Sequence, residues 1–216
     1  MSGTSIKDDE AAFIALDLVK VISDNAAYLS KVDGAIGDGD HGINMRKGFD
    51  LFGEMAKQKG VSAASEGFIL LGNTLMNEIG GSMGPLYGSM FKAMGRTCRD
   101  RGAIDAQVFL DMLKAGAESV MRIGEAHRGD KTLLDVILPA IDEYEAALKA
   151  GKNFQDALVV LSGAAEKAAA ATKDMVAKIG RAARLGERSR GVQDAGATSC
   201  SLLIRSIADG LIRGLA

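Results

Sequence analysis

The sequence predicts an all-α protein with a single domain over residues 1–216, and three observations lead to this fold class. Apolar residues recur at helical spacing through almost the whole chain. Glycines cluster between these periodic segments, where they mark turns. A chain of 216 residues can bury one well-packed core, and no Pro- or Ser-rich linker divides it. The expected architecture is therefore a bundle of helices joined by short loops.

The first helix is predicted from one apolar stripe near the start of the chain. The stripe consists of Phe13, Leu16, Leu18, Val19 and Ile22. Ser5 and Asp8 precede it with the spacing of a capping box, which would place the start of the helix directly after them.

Seven further helices follow in order. They are expected at 44–57, 62–78, 85–96, 105–124, from 130 onward, 153–179 and 198–215. Pro85 suits a first helical turn, and Pro139 should kink the sixth helix. Apolar runs at 158–161 and 202–204 resemble short strands, but they lie inside helical patterns. The expected total is eight helices and no strand.

Composition excludes several classes of function. Twenty-six Lys and Arg against 28 Asp and Glu leave a net charge of −2, and aromatics are only 5% of the chain, so no nucleic-acid partner is expected. No apolar run approaches the roughly 18 residues of a membrane span, so no membrane partner is expected. The polar start at 1–5 lacks the pattern of a secretion signal. Cys98 and Cys200 are then expected as buried, reduced thiols of a cytoplasmic protein.

The segment 33–44 is the most informative part of the sequence. It combines three carboxylates with four glycines: Asp33, Asp38, Asp40, Gly34, Gly37, Gly39 and Gly42. Carboxylates this close repel one another unless a hard cation lies between them, and Mg²⁺ often bridges such groups to phosphates. Glycines let backbone N–H groups approach an anion. An EF-hand is excluded because its twelfth position would be Asn44 instead of Glu.

Three other glycine-marked loops could meet this acidic loop. They lie at 79–84, 124–131 and 180–196, and each is separated from the next by an even number of helices. In an up-and-down bundle, alternate loops fall at the same end. The loop at 79–84 precedes a helix N-terminus, a natural anion site, and the one at 180–196 carries four arginines that suit phosphate oxygens. A tight turn and a solvated basic loop are the alternative interpretations of these two segments.

The string from Gly37 to Met45, with Asp33 five residues before Asp38, resembles the nucleotide-binding L subunit of dihydroxyacetone kinase. The same domain forms the C-terminal half of single-chain, ATP-dependent dihydroxyacetone kinases. The loops at 80–85, 129–135 and 180–199 match this family in the same order, so the resemblance covers nearly the whole chain. It implies an eight-helix antiparallel barrel with ADP or ATP, and two Mg²⁺ ions, bound at one end.

The resemblance also implies which residues form the site. Asp33, Asp38 and Asp40 would hold the metal ions. The residues expected at the nucleotide are His41, Asn44, Met45, Gly81, Ser82, Met83, Gly124, Thr132, Leu133, Arg181, Asp194, Ala195 and Gly196. Met83 replaces a usual Ser and Ala195 a usual Pro, so a hydroxyl contact in the second loop would have to come from Ser82. No catalytic residue is assigned to this chain, because the histidine that holds the ketose belongs to another domain or subunit in these kinases.

The function implied is phosphoryl transfer from the bound nucleotide to a ketose held on a substrate-binding partner subunit. In one version, tightly bound ADP is a cofactor that a phosphohistidine protein of the phosphotransferase system rephosphorylates. In another, the chain belongs to an ATP-dependent kinase acting on a triose or tetrose ketose. A related branch acts on carrier-bound fatty acids, but it usually has Thr at the position of His41. A nucleotide-sensing module that regulates a transcription factor would need the same motifs.

Overall fold

Eight α-helices, packed in chain order, form a closed ring in the computed structural model, which describes residues 4–216. They are α1 (Ala12–Asp33), α2 (His41–Lys59), α3 (Ala64–Glu78), α4 (Met83–Arg101), α5 (Ala106–Gly124), α6 (Leu134–Lys149), α7 (Phe154–Ala171) and α8 (Ala195–Leu215). Each helix packs against the next, and α8 packs against both α7 and α1, which closes the ring. The all-α fold class is confirmed. Residues 4–216 contain eight α-helices, the number expected, and in addition three 3₁₀ helices at Asp8–Glu10, Thr172–Asp174 and Ala182–Ser189. None of the helices in residues 4–216 is long and apolar enough to span a bilayer.

The prediction that the chain contains no strand is wrong in one place. β1 (Ser5–Lys7) pairs antiparallel with β2 (Ala103–Asp105), so that Ile6 lies opposite Ile104. The capping box inferred from Ser5 and Asp8 is therefore absent. The Asp8 carboxylate accepts instead from the backbone N–H of Ser65, at 2.7 Å, and from its hydroxyl. Asp8 thus stabilises the start of α3, a partner that is distant in sequence.

Several helix boundaries also differ from the predictions. Helix α2 begins at His41 instead of Asn44, and α4 ends at Arg101 instead of Arg96. Helix α6 begins at Leu134 and not at Asp130, because Lys131 adopts a positive φ of 64° that breaks the helical backbone. Helix α7 ends at Ala171 rather than at Ile179, and a single 3₁₀ turn follows it. Helix α8 starts at Ala195, three residues before the predicted Thr198.

The predicted stripe of α1 is correct except at one position. Leu18 and Ile22 are fully buried, but Leu16 is 38% exposed and Ile14 takes its place in the core. Two residues turn the helix by about 200°, so Leu16 lies on nearly the opposite side of α1 from Ile14, which shares the buried face with Leu18 and Ile22.

Aromatic clusters connect neighbouring helices inside the ring. The ring of Phe91 in α4 packs against Phe49 of α2, Phe68 of α3 and Tyr87 of its own helix, with centroids 6.0–6.3 Å apart. A second group, Phe109, Tyr144 and Phe154, connects α5, α6 and α7. Cys98 and Cys200 are buried free thiols, as predicted.

Helices α3 and α4 approach so closely that their backbones touch. A Cβ built on Gly88 would lie 2.2 Å from Cγ of Met76 and 2.8 Å from the carbonyl oxygen of Gly72. Backbone oxygens of a packed helix cannot move aside as a flexible side chain can. This contact therefore fixes the position of α4, and with it the loop that precedes α4.

We expect Gly88→Ala to lower the free energy of unfolding by about 1–2 kcal/mol. Alanine gains about 1 kcal/mol in intrinsic helix propensity, but overpacking a rigid contact costs about 1–3 kcal/mol, so the clash dominates. Gly163→Ala in α7 is the matched control, because no atom of the described residues lies within 4 Å of a Cβ built there. That variant should be more stable than the native protein. Urea unfolding measures both changes, and an unchanged or raised stability of Gly88→Ala would contradict the close contact.

Candidate functional site

The acidic loop between α1 and α2 brings three carboxylates together. Oxygen atoms of Asp33, Asp38 and Asp40 all lie within 4.8 Å of one another. The Asp33 carboxylate accepts from the backbone N–H groups of Gly39, at 2.8 Å, and of His41, at 3.4 Å, which folds the loop back over the end of α1. Gly39 supplies the positive φ, 78°, that this turn requires. Within residues 4–216, no other group of three His, Cys, Asp or Glu side chains meets the same criterion.

The cluster offers hard oxygen ligands that solvent can reach. Asp38 and Asp40 are exposed and Asp33 is half-buried. The guanidinium of Arg181, also exposed, forms an ion pair with Asp38. One guanidinium neutralises one of the three charges, so the loop keeps a net negative charge that suits a divalent cation.

Hydrogen bonds hold His41 in a fixed orientation next to this loop. Its Nε2 lies 2.9 Å from the Ser199 hydroxyl oxygen, and that oxygen lies 2.7 Å from the Tyr87 hydroxyl. Tyr87 also donates to the carbonyl oxygen of Gly196, at 2.9 Å. Burial lowers the pKa of His41 to about 4, although the nearby Asp33 charge opposes this shift. His41 is therefore a neutral imidazole at pH 7, and its engaged Nε2 is not free to bind a metal.

The second loop ends at a helix start that no side chain caps. Gly81 and Ser82 are exposed, and α4 begins at Met83 without a side-chain hydrogen bond at its N-cap. Its first N–H groups can therefore bind an anion, because the helix dipole also favours negative charge there. Met83 is half-buried and packs against the core, so its side chain supplies no polar contact.

The third loop is organised by Asp135, which is only 2% exposed. Its carboxylate accepts from the backbone N–H groups of Gly129 and of Thr132, the latter at 2.8 Å. The Thr132 hydroxyl accepts in turn from the N–H of Leu134 at 3.2 Å. Thr132 remains half-buried, whereas Leu133 is buried in the core. Gly124 ends α5, and a Cβ built on it would lie 3.0 Å from Cδ2 of Leu86 in α4.

Asp194 determines where α8 begins. Its carboxylate accepts from the N–H of Ala197 at 2.7 Å, and its own N–H donates to the Thr172 hydroxyl at 3.0 Å. Burial raises the pKa of Asp194 to about 6, although the hydrogen bond from Ala197 opposes the shift. Ala195 is buried, and Gly196 is half-buried close to the backbone of Leu133. The carboxylate of Asp194 is thus occupied by the helix start, which leaves the backbone of this turn as its accessible part.

The four loops do lie at one end of the ring, as the helix count predicted. Arg181 of the fourth loop pairs with Asp38 of the first, and Lys178, in the segment leading into the fourth loop, lies 3.5 Å from the carboxylate of Asp130 in the third. Tyr87, one turn after the second loop, bonds to Gly196 at the start of α8.

Most of the predicted nucleotide contacts surround this end, but two side chains are turned away from it. Met45 is fully buried and Leu133 is 5% exposed, both in the hydrophobic core. A ligand bound at the surface would meet their backbone, not their side chains. Asn44 is half-buried in the first turn of α2, where its N–H donates to the carbonyl oxygen of Asp40 at 2.9 Å.

Sequence reasoning missed four polar residues that organise the site: Tyr87, Lys131, Asp135 and Ser199. Each is less than 8% exposed, and each bonds to a residue from another loop or helix or to the backbone of its own loop. The spacing of Asp135 from Thr132 was a local signal for a cap. Nothing local distinguishes Tyr87, Lys131 or Ser199, because their partners are distant in sequence.

Comparison with known proteins gives a consistent family. The DAK2 domain model matches residues 35–209. The chain is 37% identical over 190 residues to the ADP-binding subunit DhaL of the PEP-dependent dihydroxyacetone kinase of Escherichia coli K12, covering 87% of this chain and 90% of that subunit. It is 36% identical to the D-erythrulose kinase of Mycolicibacterium smegmatis, covering 89% of this chain but only 33% of that enzyme.

A solved structure supports the fold. The dihydroxyacetone kinase of C. freundii superposes with a TM-score of 0.70 at 24% identity, over 92% of this chain and 34% of that one. The chain therefore covers nearly the full length of the E. coli subunit, but only about a third of the D-erythrulose kinase and of the C. freundii chain. Because the family model matches residues 35–209, the chain belongs to the DAK2 domain family, and both relatives named above are kinases.

Proposed function

We propose that this chain is the Mg-nucleotide-binding subunit of a dihydroxyacetone-type ketose kinase. The observation that carries the proposal is the cluster of Asp33, Asp38 and Asp40 at the end of the ring where four loops meet. The relative from E. coli is named an ADP-binding subunit, and the chain covers 90% of its length. Together these favour a subunit that binds the nucleotide and depends on a second protein for the sugar.

The acidic loop has the chemistry that Mg²⁺ requires. Its three potential ligands are all carboxylates, and two of them are exposed, so solvent molecules and phosphate oxygens could complete an octahedral shell. Among the described residues, no cysteine sulfur or imidazole nitrogen belongs to this donor set. When bound, Mg²⁺ would neutralise charge on the phosphates during transfer. One ion or two would fit this donor set; two were expected from the resemblance.

The chain's own residues would then bind and orient the nucleotide. Uncapped N–H groups at the start of α4 would receive phosphate oxygens, and Arg181 would approach them from the fourth loop. His41, neutral and fixed by Ser199, would present its remaining ring nitrogen beside the acidic loop. The half-buried Thr132 and the turn at Gly196 would border the nucleoside. None of these groups changes its covalent state, so this part of the catalysis is positioning and charge neutralisation.

The acceptor hydroxyl would come from a ketose held on a partner subunit. The relatives compared above are named for dihydroxyacetone and erythrulose. No residue of this chain is assigned as the base that receives the hydroxyl proton. In the single-chain relative, the region matching this chain is only a third of the enzyme, which leaves room for a substrate domain on the same polypeptide.

Two versions of this function differ in their phosphate donor. For both, the composition of the chain leads us to expect a cytoplasmic protein. In the version we favour, ADP stays bound as a cofactor and a phosphohistidine protein of the phosphotransferase system rephosphorylates it. Three relatives named as PEP- or PTS-dependent ADP-binding subunits support this choice. In the other version, ATP exchanges at each turnover.

Nucleotide content distinguishes the two versions. We expect protein purified in Mg²⁺ to release near-stoichiometric ADP on denaturation, measured by HPLC, and to retain it through dialysis against ATP. Empty protein, or rapid exchange with added ATP, would instead indicate the ATP-dependent version. Absence of nucleotide binding in any buffer would refute both. If nucleotide binds but no donor phosphorylates dihydroxyacetone in the presence of a substrate-binding partner, a nucleotide sensor that regulates a transcription factor is the better interpretation.

We expect Asp40→Asn to lose Mg²⁺-dependent ADP retention while its fold remains intact. Asp40 is exposed and its carboxylate accepts no hydrogen bond within the described residues, so the change removes a negative ligand without breaking a structural contact. ADP retention should fall by about tenfold or more. Substitution of a residue that only hydrogen-bonds to a metal ligand already lowers metal affinity by about that factor. In EDTA the variant should be at least as stable as the native protein, because one repulsive charge is gone.

The matched control is Asp209→Asn, an exposed carboxylate in α8 far along the helix from the acidic loop. Equilibrium dialysis with labelled ADP, and melting temperatures with and without Mg²⁺, measure both effects. Retention equal to that of the control would rule out Asp40 as a metal ligand.

A further inference from the structure

Lys131 is a buried lysine with no carboxylate among its hydrogen-bond partners. It is only 2% exposed, and its backbone adopts a φ of 64°, which non-glycine residues rarely do. A buried ammonium group needs its three N–H donors satisfied, because its hydrogen bonds to water are lost. A site that accepts both a strained backbone and a buried charge usually holds them for a purpose.

Three backbone carbonyls satisfy this ammonium group. Nζ of Lys131 donates to the carbonyl oxygens of Met175 at 3.2 Å, Ser189 at 2.5 Å and Val192 at 2.8 Å. These acceptors lie at the two ends of residues 175–192, which we name the arginine segment. A single side chain from the third loop thus joins both ends of the segment and closes it at its base.

Other contacts reinforce the same closure. The Ser189 hydroxyl accepts from the N–H of Ala177 at 2.9 Å and donates to the carbonyl oxygen of Gly186 at 2.7 Å. The backbone N–H of Lys178 donates to the carbonyl oxygen of Asp130 at 3.2 Å. The side chains of Lys131 and Ser189 are buried, whereas Arg181, near the middle of the segment, is exposed.

We propose that Lys131 is a positioning residue, which closes the base of the arginine segment so that Arg181 reaches the acidic loop. The ion pair between Arg181 and Asp38 is the observed result of that placement. The Lys131 ammonium group donates to Met175, Ser189 and Val192, none of which belongs to the acidic loop. The proposal rests on the proposed nucleotide-binding function for its effect on retention, but the closure of the segment is a separate, measurable property.

The first test uses Lys131→Met, which keeps the length of the side chain but removes all three donors. Lys173→Met is the matched control, because Lys173 is exposed in the same part of the chain and its side chain makes no hydrogen bond within residues 4–216. Limited trypsin digestion, followed by mass spectrometry, should show cleavage after Arg181, Arg184 and Arg188 at least about tenfold faster in Lys131→Met than in the control. Equal cleavage rates would overturn the proposal.

The second test asks whether Lys131 acts through Arg181. Release of labelled ADP should be at least about tenfold faster in Lys131→Met, since hydrogen bonds from a charged group are the strong ones. When Arg181 is already replaced by Ala, Lys131→Met should increase the rate of ADP release much less. Fully additive effects would mean that Lys131 acts independently of Arg181 and would overturn the proposal.

The proposal remains testable if Lys131→Met does not fold or if the native protein binds no ADP. If Lys131→Met does not fold by circular dichroism, Ser189→Ala replaces it, because that change loosens the same closure without touching the buried charge; cleavage and release unchanged from the native protein would then overturn the proposal. If the native protein binds no ADP, the proposed function fails, and the digestion experiment alone decides whether Lys131 closes the segment.

Discussion

The site depends on one buried hydroxyl that joins the starts of three helices. The Ser199 hydroxyl oxygen in α8 lies within hydrogen-bond distance of His41 at the start of α2, of Tyr87 in the first turns of α4, and of the Gly196 carbonyl oxygen in its own helix. Ser199 is fully buried, so each of these bonds is protected from water. Because α8 closes the ring between α7 and α1, its first turn reaches α2 and α4 only when the ring is complete. Assembly of the site is therefore coupled to formation of the whole fold.

Charge explains why this end of the ring is suited to a metal and an anion together. The three carboxylate oxygens lie within 4.8 Å of one another, and each pair repels by about 1 kcal/mol even when fully screened by water. Arg181 offsets this repulsion at Asp38 only. Around the acidic loop, the N-termini of four helices point toward the same end and carry partial positive charge. A group of carboxylates that attracts a cation therefore lies next to helix N-termini that attract phosphates.

Local patterns predicted the helices and the acidic loop because their causes are local. Helical periodicity located α1–α8, and the density of Asp and Gly in 33–44 marked the carboxylates that the fold does bring together. Long-range partners were invisible to such reasoning. Ser5 and Asp8 have capping-box spacing, yet Ser5 lies in a two-stranded sheet. The Asp8 carboxylate accepts from Ser65, 57 residues further along the chain, in the first turn of α3. The Ala-rich sequence favours a helix through 179, but α7 ends at Ala171. Beyond this point, the Met175 carbonyl oxygen accepts from Lys131, and the Thr172 hydroxyl accepts from the backbone N–H of Asp194.

The central claim is that four loops of this ring form a single Mg-nucleotide site, and a crystal structure grown with Mg²⁺ and ADP tests it most directly. The account predicts metal density within coordination distance of Asp33, Asp38 and Asp40, with phosphate density between them and the start of α4. Arg181 should approach the phosphates from the arginine segment. Nucleotide density elsewhere on the ring, or a metal bound without contact to these three carboxylates, would contradict the account.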